Sequence, residues 1–252
     1  MTQQGKLHLI TYAPALVGKD GRTVDVIHGM EKALPGLRLK WRLSAGGRPI
    51  PLPQRDTWLM ETSEDGGFPI VCNGDQSYPV TVWGRESSAL FSPGGQPLFE
   101  VHAKLPRDAV VIAAAAALLE GVAEGARAFW GRATPDAAEL DIAYQTAPTQ
   151  QGPPSPRRGL PALKLFQHIR SPELPYYLGW LNYWSAAATK AIGFPDPALD
   201  ADLLTRARRT ASGGWVVQLT DTPLDLDNPT HLDALKRTYE RFPEIGGRVT
   251  PG

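Results

Sequence analysis

The sequence holds a single cysteine, Cys72, in 252 residues. One thiol excludes an intramolecular disulfide framework and any thiolate-rich zinc site, so a reducing compartment suits the chain. Excess charge of either sign is also lacking: 26 Lys and Arg balance 26 Asp and Glu, and no global field draws the protein toward nucleic acid or an anionic membrane. The longest apolar run, residues 109–119, falls well short of the roughly 20 residues that span a bilayer and is largely alanine. It reads as a buried helix. The N-terminus lacks a charged stretch followed by a long apolar run, so no signal peptide is expected and the protein is placed in the cytoplasm, away from membranes.

Catalytic motifs are equally scarce. No Walker loop, dinucleotide glycine fingerprint or glycine-serine-glycine elbow occurs. The five histidines, His8, His28, His102, His168 and His231, never fall three or four residues apart, which argues against a helix-borne metal site. Cys72 follows Pro69, Ile70 and Val71 and suits a buried, inert thiol. No cofactor and no metal are expected.

What is present is punctuation. With 25 glycines and 24 prolines, the chain divides into short elements. Residues 7–12 alternate as a strand ended by Pro14, and residues 23–34 carry Val26, Ile27, Met30 and Leu34 at helical spacing before Pro35 and Gly36. Alternation over 37–43 predicts a strand. Short strands are expected at 58–60, 70–72 and 79–83, and another at 98–103. A long helix over 107–130 follows, started by Asp108, in which Gly121 and Gly125 lie on one face. Tight packing explains those glycines better than a phosphate loop.

The remaining expectations are a strand over 163–169, a core segment over 178–184, a short helix over 186–192, an amphipathic helix over 200–210 and a strand over 215–220. The last helix spans 228–242, with Asn228 as cap, Pro229 in the first turn and Leu232, Leu235 and Tyr239 as its apolar stripe. Aromatics crowd residues 176–184, a run that reads first as core and second as an interface. The order of elements argues for an α+β fold, with mixed or largely antiparallel sheet regions packed by several helices. Residues 146–159, rich in Pro and Gln, mark a loop or linker between an N-terminal region (1–145) and a C-terminal region (160–252), the two packed as one unit.

Two sets of residues carry possible chemistry. Glu100 and His102 share one face of a strand and could pair as a base and its orienting acid in a hydrolase or transferase, with His168 as a distant third member; an exposed strand face is the simpler account. Between Leu219 and Asp233, Asp221, Asp225, Asp227 and Asp233 stand with no Lys or Arg. They form a local negative patch able to meet a basic partner, although aspartates before a helix also cap its amides. Calcium is a minor reading, because Pro229 stands where a loop ligand is needed.

Several C-terminal segments carry a resemblance. They are Gly179-Trp180-Leu181-Asn182-Tyr183-Trp184-Ser185, Gly214-Trp215-Val216-Val217-Gln218-Leu219-Thr220-Asp221, Asp225-Leu226-Asp227-Asn228-Pro229 and Tyr239-Glu240-Arg241-Phe242-Pro243-Glu244-Ile245-Gly246-Gly247-Arg248. Together they resemble the bacterial polymorphic-toxin immunity family numbered fifty-two. Leu7-His8-Leu9-Ile10-Thr11-Tyr12 and His28-Gly29-Met30-Glu31 resemble related myxobacterial-type proteins. The resemblance implies a non-enzymatic immunity protein that binds a cognate toxin encoded nearby, often a nuclease with a restriction-endonuclease-like fold, and blocks it stoichiometrically without touching nucleic acid. It transfers no catalytic residue.

Overall fold

The computed structural model describes residues 5–146 and 156–249. Its centre is one ten-stranded sheet in which every neighbouring pair is antiparallel, an α+β architecture. In chain order the strands are β1 (Lys6–Pro14), β2 (Trp41–Leu43), β3 (Pro49–Pro51), β4 (Gly67–Cys72), β5 (Thr81–Ser87), β6 (Leu98–Pro106), β7 (Trp130–Pro135), β8 (Leu181–Trp184), β9 (Ala207–Arg209) and β10 (Trp215–Gln218). The helices are α1 (Arg22–Ala33), α2 (Arg55–Thr62), α3 (Ala109–Ala126), α4 (Asp136–Ala143), α5 (Ala186–Ile192), α6 (Ala201–Leu204) and α7 (Pro229–Arg241). Across the sheet the order is β3-β2-β4-β5-β6-β1-β7-β8-β10-β9. Because β7 pairs with β8, the sheet is continuous across the proline-rich segment. Pro148, Pro153 and Pro154 of that segment lie outside the described residues.

Strand alternation sorts side chains between two layers. On one face Leu7, Leu9, Thr11 and Ala13 of β1 and Val101, Ala103 and Leu105 of β6 are buried. This face is covered by α1 and α3, with α3 in contact with β1, β6, β7, β8 and β10. Helix α3 is long and apolar enough to cross a membrane, yet Val111, Ala115, Leu118, Leu119 and Val122 are buried against this core. Its glycines let α1 approach. A Cβ on Gly29 would stand 2.2 Å from the Gly121 carbonyl oxygen, and one on Gly125 would stand 2.7 Å from the Asp25 carbonyl oxygen.

The opposite face is covered only in part. Over its β1-β7-β8 end, Tyr12 stacks on Trp130 at 4.1 Å, Phe166 meets Tyr12 at 5.4 Å, and Phe242 at the end of α7 meets Trp184 at 5.4 Å. Tyr239 of α7 donates to Gln145 Oε1 at 3.0 Å and accepts from the Leu178 amide at 3.1 Å, which ties the helix to both ends of the irregular cover. The aromatic run is thus core.

Several expected elements take another form. Residues 58–60 belong to α2, where only Leu59 is buried, and are no strand. The long helix ends at Ala126 because Arg127 turns left-handed (φ 54°), and Trp130 opens β7. Residues 163–169 form a 3-10 turn, Phe166–His168, within irregular cover. Helix α6 stops at Leu204, and 207–209 join β10 as an edge strand. Of 37–43, only 41–43 pair, although Leu37 and Leu39 are buried.

Candidate functional site

The four aspartates singled out above occupy the connection from β10 to α7 and the second turn of that helix. Leu219 and Leu224 to one side and Leu226 within the turn are buried and pin the connection to the core. The Leu219 amide donates to the Trp180 carbonyl at 2.9 Å, and the Trp180 indole returns a bond to the Thr220 carbonyl at 2.9 Å. Gln218 donates to the carbonyls of Thr220 and Asp221. Further on, Asp225 caps the Asp227 amide at 3.0 Å, its own amide donates to His231 Nδ1 at 3.1 Å, and Asn228 caps Thr230 at 3.0 Å. The carboxylates themselves face water: Asp221 and Asp227 expose 86% and 83% of their side chains.

Asp225 and Asp227 share one turn, whereas no hydrogen bond or ion pair among the described residues joins Asp221 or Asp233 to it. Partial neutralisation comes from afar. Arg158 reaches Asp227 at 2.8 Å while also holding Asp141, and Arg206 lies 3.9 Å from Asp221. Asp225 and Asp233 make no ion pair among the described residues. Beside the turn a cleft of about 580 Å³ opens between Arg107, Asp108, Ile112, Leu224, Asp225 and His231. Such an arrangement can receive a cationic side chain of a partner.

The second set lies on the partly covered sheet face toward β5 and β6, where Glu100 is buried and His102 half-buried. Glu100 and His102 of β6 come together, with His102 Nε2 3.1 Å from Glu100 Oε2, and Arg85 of β5 donates to the same oxygen at 3.1 and 3.0 Å. Burial pushes the Glu100 carboxyl up, but the bonds from His102 and Arg85 outweigh it and hold the group below the usual carboxylate range. The His102 ring stacks on Trp83 at 5.1 Å, and Lys104 approaches the same indole at 5.6 Å. Next to them on β1, burial lowers His8 below the ordinary histidine range against the pull of Glu139.

Arg132 of β7 completes this face. It is 3% exposed and bonds Glu139 of α4 through Nη1 at 2.5 Å and Nη2 at 2.6 Å, with Tyr177 against its guanidinium at 5.1 Å. Burial raises the Glu139 carboxyl, yet the Arg132 charge overrides it and holds Glu139 below the usual range. Sequence reasoning missed Arg132, because the overlong helix ran to its doorstep, and missed Arg85, Trp83, Lys104 and His8, because strand register alone brings them beside Glu100 and His102. Among the described residues no hydroxyl or thiol is hydrogen-bonded to His102. His168 sits exposed in its 3-10 turn and makes no bond to this group, and Cys72 is buried on β4. No three His, Cys, Asp or Glu side chains among the described residues converge as a metal-holding group.

The fold is similar to that of a solved structure, the Pseudomonas aeruginosa T6SS protein PA0821. The TM-score is 0.55 at 16% identity, over 94% of this chain and 77% of that one, a likeness of fold. No curated protein matches the chain. A family described as "Domain of unknown function (DUF5953)" matches residues 18–250, nearly the whole length. By that match the chain belongs to the DUF5953 family.

Proposed function

We propose that this chain is an immunity protein that acts in the cytoplasm, binding a cognate toxin encoded nearby and neutralising it by stoichiometric occlusion. The toxin is a nuclease with a restriction-endonuclease-like fold. The observation that carries this reading is the fixed acidic turn between β10 and α7, whose backbone is tied at nearly every residue while Asp221, Asp225 and Asp227 stay in solvent. A preorganised surface loses little entropy on binding. A nuclease must attract phosphate, so its cleft is basic, and an ordered carboxylate array is complementary to it.

Two further lines support the reading. Segments of β8, β10 and α7 resemble the polymorphic-toxin immunity family, and the structural neighbour is named a T6SS protein, which agrees with a secretion-system setting. The alternative is a hydrolase or transferase built on Glu100 and His102, favoured by their 3.1 Å contact. There Glu100 is already shared with Arg85, which suits a structural pair.

Co-expression with the product of the neighbouring gene tests the proposal. Survival of the cells and co-purification at one-to-one stoichiometry are expected, and failure of both sinks it. Replacing Asp221, Asp225, Asp227 and Asp233 together by Ala is expected to slow association with the toxin at low salt by at least about tenfold, the lower end of electrostatic steering. Unchanged affinity at low salt would remove the acidic turn from the interface.

A further inference from the structure

Among the described residues eleven large apolar side chains are exposed, and Leu90 and Phe91 are the pair of these adjacent in sequence. Leu90 and Phe91, exposed by 80% and 64%, stand side by side in the 3-10 turn Ala89–Phe91 of the connection from β5 to β6. That turn packs against the turn Phe166–His168, and Leu165, 40% exposed, immediately precedes the latter. Two segments remote in sequence thus bring exposed apolar side chains to neighbouring turns.

Neither segment is loosely held. The Ser87 and Ser92 hydroxyls bond at 2.7 Å, Ser92 donates to the Ser88 carbonyl at 2.9 Å, and Ser88 caps the Leu90 amide at 3.3 Å. The Gly94 amide donates to the Ile169 carbonyl at 2.9 Å and clips one connection to the other. Ordering costs have been met before any partner arrives.

Within these two connections the charge is positive, with Glu86 and Glu173 the nearest carboxylates along the chain. Residues 88–97 contain no ionisable side chain, and residues 156–172 contain Arg157, Arg158, Lys164, His168 and Arg170 with no carboxylate. Asp141 engages Arg157 and Arg158. Lys164, His168 and Arg170 are exposed and make no ion pair among the described residues.

We infer that Leu90, Phe91 and Leu165 anchor a docking surface for a protein partner that presents an apolar side chain flanked by carboxylates. Aromatic side chains, Phe among them, are enriched at the cores of protein interfaces, and unpaired cations at the rim select an acidic segment. The surface consists of two short turns and no amphipathic helix, the element that lies in a bilayer interface, and this favours a protein as its occupant. The sign of the charge separates it from the acidic turn. It is a second interface, and it stands whether or not the toxin reading does.

Selection of short random peptides displayed on phage against the full chain, followed by affinity measurement on the selected peptides, tests this. The expected peptides place Leu, Phe or Trp beside Asp or Glu, and Phe91→Ser or Leu90→Ser weakens them at least about tenfold. Arg170→Glu weakens them as well, while the thermal unfolding midpoint of all three variants stays at the wild-type value. The inference is overturned by no selected peptide, by no acidic bias among the peptides, by affinity indifferent to Phe91→Ser, or by binding of phosphatidylserine-containing vesicles that Phe91→Ser abolishes, which would make the surface a membrane contact. Concentration-dependent dimerisation lost in Phe91→Ser would also overturn it, by assigning the surface to a second copy of the chain.

Discussion

Replacing Gly29 by Ala sets two physical effects against each other with opposite signs. Inside a helix, Ala is more favourable than Gly by about 1 kcal/mol, so an α1 free of neighbours would be stabilised. Here the added Cβ would stand 2.2 Å from the Gly121 carbonyl oxygen and 3.1 Å from its Cα. Both are backbone atoms that no rotamer change can move. Relief requires α1 and α3 to part by on the order of 1 Å, which forfeits a quarter to a half of the dispersion energy along the seam. Overpacking of this kind costs typically 1–3 kcal/mol and occasionally more, and the distance here belongs at the upper end. Net destabilisation of about 2 kcal/mol follows after the propensity gain, or a fall in melting temperature of about 4–8 °C for a chain of this size. Urea unfolding followed by circular dichroism measures it, with Ala113→Gly on the exposed side of α3 as a propensity control expected to lose about 1 kcal/mol. A Gly29→Ala protein as stable as wild type, or more so, would refute the close crossing and with it the account of why α1 and α3 carry glycines.

Two other perturbations address the sheet face. Glu139→Gln leaves Arg132 charged and buried without its counter-ion, so a loss on the order of 3 kcal/mol is expected in the same urea assay; a loss under about 1 kcal/mol would make the pair incidental. Glu100 and Glu139 both titrate below their ordinary value of 4.5 when folded, so the stability they supply is complete above that value and is lost as pH falls through their folded values. His8, lowered by burial from 6.5, acts in the same direction and begins higher, since below 6.5 the unfolded chain takes up a proton that the fold resists. Urea midpoints measured between about pH 7 and pH 3 should therefore decline gently at first and steeply below about 4.5, with the steep limb shallower in Glu139→Gln. A flat wild-type profile would contradict both directions.

How much of this was legible in the sequence depended on whether local pattern or remote pairing decided each element. Strand β1, helix α5 and helix α7 follow their sequence signals closely, because alternation, a Ser185 cap with a Gly193 stop, and an Asn228-Pro229 start all act within a few residues. The errors fall where a neighbour decides. The Trp58-Leu59-Met60 run is too short to reveal its period, and it became helical with only Leu59 turned inward. Helix α3 ends at an arginine in left-handed conformation, a stop that residue type does not announce, so the expected helix ran on over the strand that begins at Trp130. Residues 207–209 have an amphipathic helical pattern, yet pairing with β10 drew them into the sheet.

The same division governs the candidate sites and explains why a balanced composition concealed them. Asp221, Asp225 and Asp227 were visible as a run, as were Glu100 and His102 at strand spacing, but each acquires its meaning from residues far along the chain: Arg206 and Arg158 for the aspartates, Arg85 and Trp83 for the pair. Equal numbers of acids and bases exclude a global field, and the fold does not spread them evenly. It gathers exposed carboxylates on the turn before α7, two of them in partial contact with arginines, and the exposed cations Lys164, His168 and Arg170 on the segment before β8, where Leu90 and Phe91 approach from a different connection. Charges that neutralise each other in a sum remain separate fields at distances beyond a Debye length of about 8 Å in physiological salt. Under the two proposals above, a partner approaching either surface would meet the local sign, and that sign, together with the fixed backbone beneath it, would supply the selectivity.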